Sequence, residues 1–260
     1  MNRLSVILES NQKSPPSNTI PLSSAIGQKS LVTMNIYDAA KKGNFERVQS
    51  LVKNGADINA VDVVSCTPLH WACKFGHLQI VDFLAKKGAR LDIPNSHGWS
   101  PLYSAIWFGT GASAKTNPRK QFRIVHYLVE NGADIHATDD RDNSPLHLAS
   151  ILGNVQIVKY LVKHGADITA RNGDGATPLH QACFSAISRL PVVQFLVQMG
   201  ADITATDADG ATPLDKAREN GHTEVVKYLE TTAKVRKCQA LVLYLVQRGF
   251  WNNKKTLKRK

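Results

Sequence analysis

A short phrase that returns five times constrains the fold of this chain more than any other feature. The phrase Thr/Ser-Pro-Leu begins at Thr67, Ser100, Ser144, Thr177 and Thr212, at steps of 33, 44, 33 and 35 residues. The same steps separate a series of glycines, Gly55, Gly88, Gly132, Gly165 and Gly200. A unit of 33 residues with two insertions explains both series. Self-similarity at such a period predicts an array of stacked repeats.

Each repeat carries the signals of two helices. Thr or Ser followed by Pro predicts a helix start, because the hydroxyl accepts a backbone N–H and Pro needs no acceptor at the first helical position. Further on, segments such as IVDFL at Ile80 and IVKYL at Ile157 place one apolar stripe on a second helix. One helix pair is too small to bury this stripe, so we expect neighbouring repeats to stack and share a core.

The phrases TPLHWA at Thr67 and TPLHQA at Thr177 resemble the T-P-L-H-x-A signature of the ankyrin-repeat family, and SPLHLA at Ser144 is close to it. The resemblance implies an all-α solenoid of stacked helix-turn-helix units with β-hairpin-like loops. It also implies a concave groove lined by the loops and the first helices. The histidines of the phrase, His70, His147 and His180, would then connect the loops of adjacent repeats rather than serve catalysis.

The resemblance covers about residues 34–232, where we predict six repeats: 34–64, 65–97, 98–141, 142–174, 175–209 and 210–232. The first lacks the phrase, as an N-terminal capping repeat would. Residues 1–33, with seven serines and three prolines, are predicted to be a mostly disordered lead-in. Residues 233–251 are predicted to be an irregular capping helix with Leu241 and Leu245 facing the repeats, followed by a basic tail at 252–260.

Three departures from the repeat pattern give local predictions. Ser65 and Asp142 stand where a turn glycine is expected, and Ser tolerates left-handed backbone less well than Asp, so we expect strain at Ser65. The eleven extra residues of the third repeat fall between its two helices. The two extra residues of the fifth repeat fall before Pro191, which we expect to open the second helix.

The net charge of +11 is spread unevenly, with +2 over residues 1–33, 0 over 34–232 and +9 over 233–260. The basic tail is a candidate tether to nucleic acid or an anionic membrane, although the same composition suits a nuclear-import address or a purely solubilising end. Its cations are Lys254, Lys255, Lys258, Arg259 and Lys260.

Composition also bounds the compartment and the chemistry. The chain has no apolar run of about 18 residues and no recognisable secretory signal. Its four cysteines have neither disulfide-framework nor zinc-site spacing, so we expect a reducing intracellular compartment, cytoplasmic or nuclear. Apart from the residues that recur from repeat to repeat, the sequence contains no catalytic motif. We therefore expect no enzyme activity, catalytic residue, metal, cofactor or small-molecule substrate.

Residues that vary between repeats are predicted to bind the partner. In the second and third repeats they are mostly apolar or aromatic: Val61, Val63, Val64, Trp71, Phe75, His97, Trp99, Trp107 and Phe108. In the fourth to sixth repeats the matching positions are polar: Asp140, Arg141, Asn143, Asp174, Gln181, Asp209 and Lys216. Aromatic side chains in a groove suit interface anchors, but Trp71 and Trp99 can equally pack against a neighbouring repeat.

We therefore predict a monomeric, non-catalytic interaction module or adaptor that binds another protein through the groove. Two alternatives stay open. The chain can be an effector that an intracellular bacterium delivers to the host cytoplasm and that uses the same groove. The basic tail can instead hold the main role as a tether.

Overall fold

The structure is a computed structural model that describes residues 34–107, 118–185 and 189–248. Within these ranges the regular structure is helical and contains no strand. The chain divides into two compact units, residues 1–140 and 141–260.

The first unit is a stack of three helix-turn-helix pairs. Its helices are α1 (Ile36–Lys42), α2 (Phe45–Lys53), α3 (Pro68–Lys74), α4 (Leu78–Lys86), α5 (Pro101–Ile106) and α6 (Pro118–Glu130). The first helix of the middle pair, α3, packs between α1 and α5, and the second helix, α4, packs between α2 and α6. The first and second helices therefore form two separate layers.

The second unit repeats this arrangement. Its helices are α7 (Pro145–Leu152), α8 (Val155–Lys163), α9 (Pro178–Phe184), α10 (Leu190–Gln198), α11 (Pro213–Glu219) and α12 (Thr223–Gln247). Here α9 packs between α7 and α11, and α10 packs between α8 and α12. Pro191 lies in the first turn of α10, as predicted.

The repeated phrase starts the first helix of each pair. Thr67 is the N-cap of α3 and Ser100 the N-cap of α5, and a proline follows each of them in the first turn. The Ser100 hydroxyl accepts the backbone N–H of Tyr103 at 3.2 Å, which satisfies one of the free donors at the helix start. The leucine of the phrase is fully buried in four repeats, at Leu69, Leu102, Leu146 and Leu179.

In three repeats the histidine of the phrase connects its repeat to the next one in the same unit. The Nε2 atom of His70 lies 2.8 Å from the Trp99 carbonyl oxygen. The corresponding distances are 3.0 Å from His147 to the Ala176 carbonyl and 3.1 Å from His180 to the Ala211 carbonyl. The Nδ1 atom of His70 accepts the backbone N–H of Thr67 at 3.1 Å, so Nε2 carries the proton and donates. We call these three contacts the histidine links, and they confirm the structural role that the resemblance implied.

Two turns adopt left-handed backbone without glycine. The φ angle is 58° at Ser65 and 59° at Asp142, which confirms that both occupy the glycine position. At the first of these turns Asp62 accepts the N–H groups of Val64 and Cys66, each at 2.9 Å. These bonds hold the loop in a hairpin-like shape that needs no strand.

The last helix corrects the prediction of a separate cap. Thr223–Gln247 is one continuous helix of 25 residues, whose buried side chains, Val225 and Leu229, lie near its start. Leu241 is 58% exposed, so the prediction that it faces the repeats is wrong. The helix simply continues the second helix of the sixth repeat.

Candidate functional site

In the first unit, Trp71 on α3 is fixed to the loop that precedes it. The indole N–H donates to the Asp62 carboxylate at 2.8 Å, and the ring stacks on Phe75 with 6.0 Å between the centroids. Trp71 is half-buried, whereas Phe75 is exposed. The side chain is therefore oriented by packing and a hydrogen bond while part of its face stays open to a partner.

Two lysines lie over the same ring. The Lys41 Nζ atom is 4.8 Å from the Trp71 centroid, and the Lys74 Nζ atom is 5.1 Å from it. Ammonium groups at such distances are attracted to the ring face. Burial lowers the pKa of Lys74, and the positive charge of Lys41 lowers it as well. Within the described residues, neither lysine has a carboxylate at salt-bridge distance.

An open groove of about 590 Å³ adjoins this ring. Its lining comes from α1, α3 and the loop between α2 and α3, and comprises Asn35, Tyr37, Asp38, Lys41, Val61, Asp62, Val63 and Trp71. The Tyr37 hydroxyl donates to the Val61 carbonyl at 3.1 Å and so ties the loop to α1. Val63 is 99% exposed, so its whole side chain is open to a partner.

Four predicted binding residues of the first unit thus lie together: Val61, Val63, Trp71 and Phe75. Val64 is exposed in the same loop. Sequence reasoning missed the lysines and Tyr37. The repeat period carried a signal, because Lys74 stands 33 residues after Lys41 at the matching position.

The aromatic residues of the third repeat pack mainly on one another. Trp99 lies 5.3 Å from Tyr103 and 5.3 Å from Trp107, ring centroid to ring centroid, and 5.6 Å from His97. Trp99 and Trp107 are half-buried, and His97 is exposed. Packing is therefore the main role that the structure gives Trp99. Phe108 lies outside the described residues.

The predicted polar residues fall on both units. Asp140 belongs to the first unit, where it is exposed and its N–H donates to the His97 carbonyl at 3.2 Å. In the second unit Arg141, Asp174 and Asp209 are exposed, and Gln181 is half-buried.

Two of the predicted polar residues have partners inside the second unit. Asn143 accepts a hydrogen bond from the Asn172 amide at 2.8 Å. Lys216 pairs with Asp207 at 2.9 Å, and its side chain is only 16% exposed. Burial raises the pKa of Asp207, but the bonds from Lys216 and the Ala211 N–H outweigh it and leave the pKa lowered. Lys216 therefore supports the loop and has little surface left for a partner.

Neither metal binding nor thiol reactivity is supported by the described residues. They contain no group of His, Cys, Asp and Glu side chains that could hold a metal ion. Burial raises the pKa of Cys73, and it raises the pKa of Cys183 to about 12, so neither thiol ionises readily. None of the helices in the described ranges has both the length and the apolar character needed to span a bilayer.

Comparison with known proteins identifies the family. The family model for ankyrin repeats (3 copies) matches residues 36–139 and 111–207. The chain therefore belongs to the ankyrin-repeat family. Ankyrin repeats are protein–protein interaction modules and are generally non-catalytic, so an interaction module is the class of protein defined by this fold.

Three relatives illustrate how far the similarity extends. Protein phosphatase 1 regulatory subunit 27 of Homo sapiens is 46% identical over 66 residues, which are 25% of this chain and 43% of the relative. The putative ankyrin repeat protein YahD of Escherichia coli is 37% identical over 94 residues, 36% of this chain and 44% of the relative. A transient receptor potential cation channel subfamily A member 1 homolog of Caenorhabditis elegans is 27% identical over 133 residues, 46% of this chain and 11% of the relative. In each case the chain spans less than half of the relative's length.

Proposed function

We propose that this chain acts as an adaptor whose first unit binds a segment of another protein in the groove beside Trp71. The observation that carries the proposal is an oriented tryptophan and exposed valines beside one open groove, with two ammonium groups over the tryptophan ring. Within the described residues, neither ammonium group has a carboxylate at salt-bridge distance. Tryptophan is frequent among residues that dominate binding energy at interfaces. The name of the human relative, a regulatory subunit, also fits a protein that acts through a partner.

The chemistry of the groove indicates what the partner segment carries. An apolar side chain would cover Val61 and Val63, which now face water. A carboxylate on the same segment would pair with Lys41 and Lys74 and oppose both the burial and the charge of Lys41 that lower the pKa of Lys74. We therefore expect the partner segment to combine apolar and acidic residues.

A peptide-display selection against the full chain tests this proposal. Peptides that bind should be enriched in apolar and acidic residues and should lose at least roughly tenfold in affinity on Val63→Asp and on Lys41→Glu. Both side chains are exposed, so both variants should keep the thermal stability of the parent. Met199→Asp, which changes an exposed apolar side chain of the second unit, is the matched control and should bind as the parent does.

Peptide binding that depends on the second unit instead of the first would contradict the proposal. If selected peptides bind the Val63→Asp variant normally but lose affinity on Asp209→Lys or Gln181→Ala, the second unit holds the groove and the proposal is wrong.

A further inference from the structure

The last turns of α12 present apolar side chains on every side of the helix. Leu241, Val242, Leu243 and Tyr244 are consecutive, and each is about half exposed or more, with Leu243 at 62%. Successive residues of an α-helix lie about 100° apart around its axis, so these four cover nearly the whole circumference. Exposed apolar surface of this extent marks a place where the protein contacts something other than water.

Positive charge accompanies this apolar surface. Residues 233–248 include Lys234, Arg236, Lys237 and Arg248 and contain neither Asp nor Glu. Lys234 and Lys237 are exposed on the turns that precede the apolar ones. The Arg248 guanidinium lies over the Tyr244 ring at 4.8 Å. The helix end is thus apolar and basic at once, a combination that an anionic lipid surface attracts by both properties.

A second copy of the chain fits this surface less well. Two paired helices cover one stripe on each partner and would leave the remaining apolar sides in water. Two copies would also bring eight positive charges together with no acidic side chain in residues 233–248 to offset them. A bilayer interface surrounds an embedded helix and supplies the negative charge.

We propose that residues 234–248 dock the chain on an anionic phospholipid bilayer. Leu241, Leu243 and Val246 enter the boundary between head groups and acyl chains, and Lys234 and Lys237 contact lipid phosphates. Leu241 and Leu243 lie about 200° apart around the helix axis, so the end of the helix enters the interface at an angle rather than lying flat on it. The apolar turns 240–247 are about 12 Å long, against about 30 Å for a hydrocarbon core, so the helix end does not cross the bilayer. This surface lies on a different unit from the Trp71 groove, so either proposal can fail alone.

Sedimentation of the full chain with lipid vesicles tests the docking surface. Vesicles of phosphatidylcholine with about one-third phosphatidylserine should bind the chain at least roughly tenfold more tightly than vesicles of phosphatidylcholine alone. The double variant Leu241→Ser, Leu243→Ser should lose at least roughly tenfold in that affinity with an unchanged melting temperature. Met199→Ser removes an exposed apolar side chain elsewhere in the second unit and should bind as the parent does.

Further variants separate the helix from the basic tail. Deletion of residues 252–260 removes five cations and should weaken binding, but the loss caused by the double leucine variant should persist in the shortened chain. Lys234→Gln with Lys237→Gln should weaken binding to the anionic vesicles and leave the low affinity for neutral vesicles unchanged.

Three results would overturn the proposal. The first is no enrichment on anionic vesicles. The second is binding that depends on the cations alone, with the double leucine variant equal to the parent, which would indicate electrostatic tail binding of the kind shared with nucleic acid. The third is a dimer in light scattering that the leucine variant converts to a monomer, which would make a second copy the occupant.

Discussion

At the scale of single residues, the histidine links combine two tasks in one side chain. Nδ1 of His70 lies 2.8 Å from the Thr67 hydroxyl at the helix start, while Nε2 donates to the carbonyl of the next loop. Both tasks use the neutral ring, because Nδ1 must accept. Burial lowers the pKa of His70 to about 4 and also lowers the pKa of His180.

This tautomer makes stability depend on pH. The pKa of His70 is about 4 in the folded chain against 6.5 in a free side chain, so the unfolded state binds more protons between these values. Stability should therefore be complete above pH 6.5 and should fall as the pH drops toward 4. Between pH 7 and pH 5 the expected loss from His70 is about 2 kcal/mol.

Urea unfolding followed by tryptophan fluorescence measures this loss, since Trp71, Trp99 and Trp107 all lie in the first unit. The His70→Gln variant should be less stable at pH 7 but should show a flatter pH dependence. His136→Gln changes an exposed histidine and should keep the parent slope. Equal slopes in the parent and His70→Gln would show that His70 does not carry the effect.

At the scale of elements, α12 shows how burial depends on whether a neighbouring helix exists. Its first turns pack against α10 and α11, and Leu229 is 1% exposed there. Its last turns have a similar apolar composition, but most of their side chains are exposed. The same residue type therefore contributes very differently to stability at the two ends.

A matched pair of leucines within α12 tests that difference. Leu229→Ala should lower the free energy of unfolding by about 2–5 kcal/mol, because it leaves a cavity between packed helices. Leu241→Ala should change it by less than about 0.5 kcal/mol, because that side chain already faces water. Chemical denaturation followed by circular dichroism measures both, and a large loss at Leu241 would mean that the last turns are packed in solution.

The period of the sequence predicted most of the fold. It gave the helix starts, the apolar stripe of the second helices and the left-handed turns at Ser65 and Asp142, because each of these follows from the residues of one repeat. It missed Lys41, since the first repeat lacks the phrase that drew attention to the other first helices. It also missed the pairing of Lys216 with Asp207, because the letters alone do not give the distance between a helix and a loop. The exposed end of α12 resembles a second helix in sequence, so its exposure could not be predicted from the letters alone.

At the scale of the whole molecule, each unit is stabilised mainly by contacts between neighbouring repeats. In such arrays the stability is close to a sum of repeat and interface contributions, so damage to one repeat spreads mainly to its neighbours. Leu69 lies in the middle repeat of the first unit, and Leu179 lies in the middle repeat of the second.

Hydrogen exchange tests whether damage stays local. Leu69→Ala should raise amide exchange most in α1, α3 and α5, whereas Leu179→Ala should raise it most in α7, α9 and α11. Each variant serves as the control for the other. A uniform increase across both units in either variant would contradict nearest-neighbour stabilisation and would indicate a single cooperative transition.

The histidine links have a consequence for how such a chain grows. Each donor meets a carbonyl 29 or 31 residues further on, close to one period of the repeat. A tandem duplication of 33 residues would therefore bring one new donor and one new acceptor, already at the right offset. The junction between old and new copies would keep this hydrogen bond, so the protein could lengthen by a whole repeat without losing the link between neighbours.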